Sequence, residues 1–297
     1  MGINNNDYAV GIDIGGSHIT AAIVDLNTFS IIEDTLVRKK LDSSEVPEVI
    51  LEIWSLTIKE VISISGTQPS KIGIAMPGPF DYDKGISLIK DLHKYDLLYG
   101  VNVKEFLSQS LGFSPSDIRF RNDAEAFLAG EIAVRSTSVS SKIMGVTLGT
   151  GLGSAISHGG KTWDANLAIV PFRDGFAEEY ISTRWFVGRF KEITGIQVAD
   201  VKQLLLLEGQ DLYIEQLFEE FTTNLSQFLI YYVSQENINQ LIIGGNIAKT
   251  ADRFMEQLEA NLYKSSPNLK VELASLGEMS AITGAASLFQ KISSAHT

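Results

Sequence analysis

The sequence predicts an α/β protein built from two domains of related topology. Three observations lead there. A strand, glycine turn, strand unit occurs at 8–24 and again at 143–157, and Asp13 and Gly15 match Thr147 and Gly149 at one offset, 147 − 13 = 149 − 15 = 134. Helical patterns follow each unit, with apolar residues recurring every three or four positions. Hydrophobic residues fill 44% of the 297 positions and charged residues 20%, the balance of a chain that buries a core.

The elements follow in chain order. An apolar run at 8–13 ends in Gly15-Gly16, and a second run at 19–24 follows at once, so the pair reads as a hairpin. Residues 30–38 add a third strand. A helix is expected at 45–64, where Ser43, Ser44 and Pro47 suit a helix start and Val49, Ile50, Ile53, Leu56 and Val61 recur near helical spacing. A buried-type strand at 71–75 stops at Pro77-Gly78-Pro79, and 80–101 reads as an irregular excursion. Asn102 caps a helix to Leu111, with Gly112 past its end. A strand at 118–120 and a helix at 123–134 complete this half. The second half has strands at 143–148, 153–157 and 241–243 and helices at 212–233, 251–263 and 281–292. The boundary is expected in continuous structure, as domains 1–121 and 122–297, with the last helix, 281–297, free to pack back on the first domain.

Charge and composition exclude several functions. With 36 acidic and 24 basic residues the net charge is −12, the wrong sign for a protein that binds phosphate backbones. There is no cysteine, which rules out disulfides and thiolate zinc sites. Residues 1–7 are polar, without the basic start and apolar run of a signal peptide. The uncharged stretch 143–160 is glycine-rich and shorter than the roughly 20 apolar residues of a membrane span. The expectation is a soluble, cytoplasmic protein with neither nucleic acid nor membrane as partner.

Four segments carry groups able to do chemistry. Asp13-Ile14-Gly15-Gly16-Ser17 sets a carboxylate at a strand end beside glycines whose backbone N–H groups a phosphate can approach. Such a carboxylate can hold Mg²⁺ through water; an ordinary hairpin has the same look. Gly149-Thr150-Gly151-Leu152-Gly153 is a second glycine turn, with no Walker lysine and with strands on both sides, which excludes a P-loop and disfavours a dinucleotide fold. Two such hairpins facing each other would clamp a triphosphate. Leu241 to Gly244-Gly245-Asn246 ends a strand where a flat ligand can come close, or simply turns the chain. Asn122-Asp123-Ala124-Glu125 begins a helix, with Asp123 either its cap or a general base. His18, His93, His158 and His296 show no ligand spacing, and no zinc site is expected.

The order of these motifs resembles the ROK family of bacterial sugar kinases and sugar-responsive repressors. Asp13 to Ser17 comes first, followed by Gly73-Ile74-Ala75-Met76-Pro77-Gly78-Pro79 and Arg121 to Ala124. Thr147 to Gly153, Ile243 to Ala248, Gly277 and Ala281-Ile282-Thr283-Gly284-Ala285-Ala286 then follow, so the likeness runs through nearly the whole chain. The resemblance implies an actin-like, ribonuclease H-like ATPase fold with a sugar cleft between its two domains, and ATP with Mg²⁺ as cofactors. It puts Asp13, Gly15, Gly16 and Ser17 in the first phosphate motif, Asp13 also at the metal, and Thr147, Gly149, Thr150 and Gly151 in the second. Gly244, Gly245 and Gly284 would approach adenosine. Gly78, Asn122, Asp123 and Glu178 would bind the sugar, Asp123 as catalytic base. It also implies a homodimer.

One segment departs from the family pattern. Between Lys161 and Gly175 there is neither the Glu-x-x-His nor the cysteine-rich zinc module of typical members. Trp163, Asp164, Asn166, Arg173 or Asp174 would line the pocket instead, and Trp163 is read as a packing residue ahead of a sugar-stacking one. The expected activity is ATP- and Mg²⁺-dependent phosphorylation of a hexose or N-acetyl amino sugar, with domain closure excluding water. A non-catalytic or degenerate sugar- or ATP-binding regulator is the alternative. Too few residues precede Asp13 for the helix-turn-helix domain of the repressor branch.

Overall fold

A computed structural model describes residues 7–92, 94–135 and 137–290. His93, His296 and the stretch 291–297 of the expected last helix lie outside the described residues. The chain divides into two compact units, unit 1 from Met1–Ser136 with Glu278–Thr297 and unit 2 from Thr137–Gly277. The division therefore follows residue 136, not residue 121. Continuity of packing explains the difference: the helix that opens at Asp123 packs on a helix from the chain's C-terminal end, so it stays with unit 1.

Unit 1 begins with β1 (Tyr8–Ile14) and β2 (His18–Asp25), antiparallel with Asp13 opposite Thr20. The third strand, β3, is only Val37–Lys40, because a 3-10 turn at Glu33–Thr35 interrupts the expected run. Thr35 causes the interruption: its hydroxyl accepts the Ile23 N–H at 2.9 Å, a ladder position a strand residue would otherwise fill. Helix α1 (Pro47–Ser65) has proline at its first position, a left-handed Gly66 cap, and a buried face of Ile50, Leu51, Trp54, Ile58 and Val61. Strand β4 (Lys71–Met76) lies parallel to β1. The excursion contains the short pair β5 (Phe80–Asp81) and β6 (Ile86–Ser87), then α2 (Val103–Leu111) capped by Asn102. β7 (Ile118–Asn122) leads directly into α3 (Asp123–Ala133). The sheet order is β3-β2-β1-β4-β7.

Unit 2 repeats this plan. β8 (Ile143–Leu148) and β9 (Leu152–His158) form the hairpin and β10 (Lys161–Asp164) extends it. The pair β11 (Pro171–Phe172) and β12 (Gly175–Phe176) follows, then helices α4 (Thr183–Thr194), α5 (Val201–Leu204) and α6 (Asp211–Gln235). β13 (Gln240–Gly244), α7 (Met255–Ser265) and β14 (Lys270–Leu273) close the unit. The order β10-β9-β8-β13-β14, with one antiparallel hairpin and two parallel strands beside it, matches unit 1 position for position. Phe186 of α4, Phe218 and Phe221 of α6 and Phe254 pack together at ring separations of 4.9 to 5.5 Å. Phe228 is buried too, whereas Tyr232 is half-buried and Tyr231 exposed. Trp163 is also exposed, on edge strand β10, so the expected packing role does not hold: β10 has a neighbour on one side only.

The chain then returns to unit 1 as α8 (Ser280–Ala286). It lies against β1, β4 and α3 at backbone distance. A Cβ built on Gly73 would come within 2.0 Å of Ala285 O, and one on Gly130 within 1.9 Å of Ser280 O. In the reverse direction, a Cβ on Gly284 would meet Ala126 O at 1.7 Å. The fully buried Glu131 accepts the Ser280 hydroxyl of α8 at 2.6 Å and pairs with Arg135 one turn further along its own segment.

A methyl group at Gly284 has no space, so Gly284→Ala is expected to destabilise the protein by about 2–3 kcal/mol in denaturant unfolding. Gly188, inside α4 with nothing near its absent Cβ, provides the contrast. Gly188→Ala is expected to stabilise by up to about 1 kcal/mol.

Candidate active site

The first glycine turn joins β1 to β2. Gly15 N–H donates to His18 O at 2.9 Å, and the buried Tyr95 hydroxyl donates to Gly15 O at 2.5 Å. Leu41 N–H reaches Ser17 O at 3.0 Å, fixing the turn from its other side. Gly15, Gly16 and Ser17 are exposed, and a Cβ at Gly16 would touch nothing, so a ligand can reach this backbone. Asp13 sits just inside the turn. Burial, then the charge of Asp123, pushes its carboxyl up to about 7, with Glu278 adding and Arg38 opposing. Arg38 pairs with Glu278 at 2.8 Å. Burial also raises the Tyr95 hydroxyl, with the charge of Asp13 adding to it.

Asn122 and Asp123 divide their work at the start of α3. Asn122 is the cap: its Oδ1 accepts the N–H groups of Ala124 at 2.8 Å and Glu125 at 3.3 Å. Its Nδ2 donates to the Tyr82 hydroxyl at 3.3 Å, which donates to Met76 O at 3.1 Å. Gly78 belongs to the same group, since a Cβ there would lie 3.2 Å from the Tyr82 oxygen and 3.9 Å from Asn122 Nδ2. Asp123 shares one of these donors, its Oδ1 accepting the Ala124 N–H at 3.0 Å. It is exposed at the first helical position, where the helix dipole favours its negative charge.

The second turn joins β8 to β9 in unit 2. Gly149 N–H donates to Gly151 O at 3.0 Å, Thr150 is exposed at the turn, and Thr147 is paired with Gly153 and Gly244. Gly245, at φ +90°, packs on this hairpin: its Cβ would meet Leu148 O at 2.5 Å, which only glycine avoids. The second and third motifs are therefore adjacent. Glu178 also lies on this turn. It accepts the Leu152 N–H at 3.1 Å and pairs with Arg184. The structure thus gives Glu178 one partner at the glycine turn, Leu152, and one on α4, Arg184, because the 3-10 turn Ala177–Glu179 carries it back against β9.

Gly284 is buried against α3, so helix packing accounts for its missing side chain. Tyr82, Tyr95, Arg38, Glu278 and Arg184 are site neighbours that sequence reasoning missed. None stands in a glycine motif, and only folding brings them to one. Magnesium fits Asp13 chemically. Its carboxyl is crowded by like charge and ionises more readily beside a cation, and Mg²⁺ needs few protein carboxylates when phosphate oxygens supply the rest. Among the described residues there is no cluster of three or more His, Cys, Asp or Glu side chains placed to hold a metal ion.

Comparison with known proteins places this arrangement. The sequence profile of the ROK family matches residues 9–167, more than half of the chain. A polyphosphate glucokinase of Mycobacterium leprae is 33% identical over 162 residues, 54% of this chain and 46% of that protein. The chain spans about half the length of the first curated relatives it matches, at 49%, 46% and 56%. A ROK hexokinase from Thermus thermophilus superposes with a TM-score of 0.79 at 19% identity, over 94% of this chain and 97% of the other. A ROK family glucokinase from Streptomyces griseus, solved with glucose and AMPPNP, gives a TM-score of 0.74 at 21% identity, over 95% and 98%. The fold is therefore the actin-like ATPase fold of these sugar kinases. No helix among the described residues is long and apolar enough to cross a membrane.

The raised Asp13 carboxyl gives a pH signature. An acid at 3.8 when unfolded and about 7 when folded stabilises the fold most below pH 3.8, and that contribution is lost as pH rises to about 7. Denaturant unfolding without ligand from pH 4.5 to 8 is expected to show Asp13→Asn gaining on the parent protein with rising pH, by something on the order of 3 kcal/mol. A flat difference between the two would show that Asp13 ionises normally.

Proposed function

The chain belongs to the ROK family, and from that premise we propose that it transfers the γ-phosphoryl group of ATP to a hydroxyl of a hexose or N-acetyl amino sugar. One observation carries this reading: Asn122 caps α3, and the Asp123 carboxylate beside it is exposed, one of its oxygens accepting the Ala124 N–H at 3.0 Å. An exposed carboxylate at a helix start, next to an amide held by Tyr82, suits a hydroxyl that must be oriented and deprotonated.

The Asn122 side chain positions the acceptor, with Gly78 leaving room. As the acceptor oxygen bonds to the γ-phosphorus, Asp123 accepts its proton and the bond to the β-phosphate oxygen breaks, releasing ADP. This transfer depends mainly on alignment and charge, so few protein groups are needed. In unit 1 the exposed backbone at Gly15 and Gly16 admits phosphate oxygens, and in unit 2 the turn at Gly149 to Gly151 does so, with Gly244 and Gly245 toward adenosine. Asp13 would hold Mg²⁺, which neutralises phosphate charge when bound. The glucose and AMPPNP of the Streptomyces griseus glucokinase support the choice of acceptor and donor. The net charge of −12 disfavours a nucleic-acid partner.

A panel of hexoses and N-acetylated amino sugars, assayed for acceptor-dependent ADP release, tests the reading, and at least one is expected to support turnover. Asp123→Asn is expected to lower that turnover by about 10²- to 10⁴-fold while ATP binding is retained. Near-parental turnover in Asp123→Asn would remove Asp123 as the base. ATP binding without ADP release across the whole panel would point to a regulator.

A further inference from the structure

We propose that Arg184 is a phosphate-binding residue of the donor site in unit 2, held against the glycine turn by Glu178 until a donor phosphate replaces the carboxylate. The inference rests on reading the turn at Gly149 to Gly153 as a phosphate loop.

That turn has no lysine, so a donor bound there needs its cation from elsewhere. The structure sets Arg184 against it. A Cβ built on Gly151 would lie 3.6 Å from the Arg184 guanidinium, and Thr183 N–H donates to Gly149 O at 2.8 Å, tying the first turn of α4 to the loop. Between guanidinium and backbone sits the Glu178 carboxylate. One oxygen accepts the Leu152 N–H at 3.1 Å and the other pairs with Arg184. The Gly151 Cβ position is only 2.1 Å from that first oxygen, so a side chain there would displace the carboxylate.

An anion bound by a loop N–H and a guanidinium together is in a phosphate's position. Glu178 and a donor phosphate thus compete for the same two partners. Arg184 is suited to exchange, since its side chain is 61% exposed and a guanidinium has five donors. It opens on a groove of about 1330 Å³ whose other arginines are engaged. Arg189 is held by both oxygens of Glu220 and by Glu192, and Arg173 donates to Gln227. Glu178 acts here as a positioning residue, and the charge it neutralises passes to the donor on binding.

Titration calorimetry of the full chain with ADP, without sugar, tests this, with thermal midpoints confirming that each variant is folded. Arg184→Gln is expected to weaken ADP binding about ten-fold or more, and Arg184→Lys by less, since it keeps the charge but loses the fork. Glu178→Gln keeps an oxygen for the Leu152 N–H and removes the competing charge, so it is expected to bind ADP several-fold more tightly. A purely structural strut would give the opposite sign. ADP affinity within about two-fold of the parent in both Arg184→Gln and Glu178→Gln overturns the inference while leaving the donor site intact. A parent protein that binds no ADP at millimolar concentration removes the donor-site reading itself, and the inference with it.

Discussion

Unit 1 depends on one backbone contact. Helix α8 meets the sheet and α3 closely enough for backbone to touch backbone, with small and aliphatic side chains such as Ala9, Ala75, Ala126 and Ile282 filling the rest, because Gly11, Gly73 and Gly130 open a bed for it and Gly284 lets it settle. Each of these glycines would otherwise place a methyl inside the van der Waals radius of a carbonyl. Close-packed interiors relieve such overlap only by moving whole elements. The elements involved are β1, which carries Asp13, β4, which leads to Gly78, and α3, which starts at Asp123. Their mutual placement thus follows from a helix more than a hundred residues away in sequence, and the buried Glu131, bonded to Ser280 and Arg135, reinforces the same seam.

The two units share a topology but brace their glycine turns differently. In unit 1 a buried tyrosine hydroxyl holds Gly15 O, a neutral contact on the inner side that leaves the turn's outer face open. In unit 2 the brace is a main-chain bond from α4 together with a carboxylate and a guanidinium. The first device fixes shape alone. The second fixes shape and also stores a charge pair beside the turn. Asp13 in unit 1 and Glu178 in unit 2 are thus both carboxylates at glycine turns in different electrostatic settings: burial and like charge surround the first, a cation faces the second.

Several parts of this arrangement are legible in the sequence for local reasons. Glycine pairs after apolar runs announce both hairpins, and Asn102 and Gly112 bracket α2 as caps should. The match of Asp13 to Thr147 anticipates the duplication seen in the two sheets. Helix α4 is not among the expected elements, although Ser182, which caps it, and the left-handed Gly195 mark its ends. Residues 30–36 read as strand by composition, but a single Thr35 hydroxyl redirects them, and no propensity records that bond. The exposure of Trp163 is equally invisible beforehand, because a strand's place at a sheet edge is a property of the sheet.

By itself the sequence determined the family, the repeated hairpin and the residues able to carry charge or admit phosphate, since turn chemistry and motif order are local properties of the chain. Only the tertiary structure decided what each of those residues is free to do. It made Asn122 the cap and left the Asp123 carboxylate exposed beside it, buried Gly284 in a helix contact, and turned Glu178 onto the second glycine turn with Arg184. The physical reason is that a polar side chain's role depends on which hydrogen-bond partners and which charges remain near it after packing, and those partners come from distant segments.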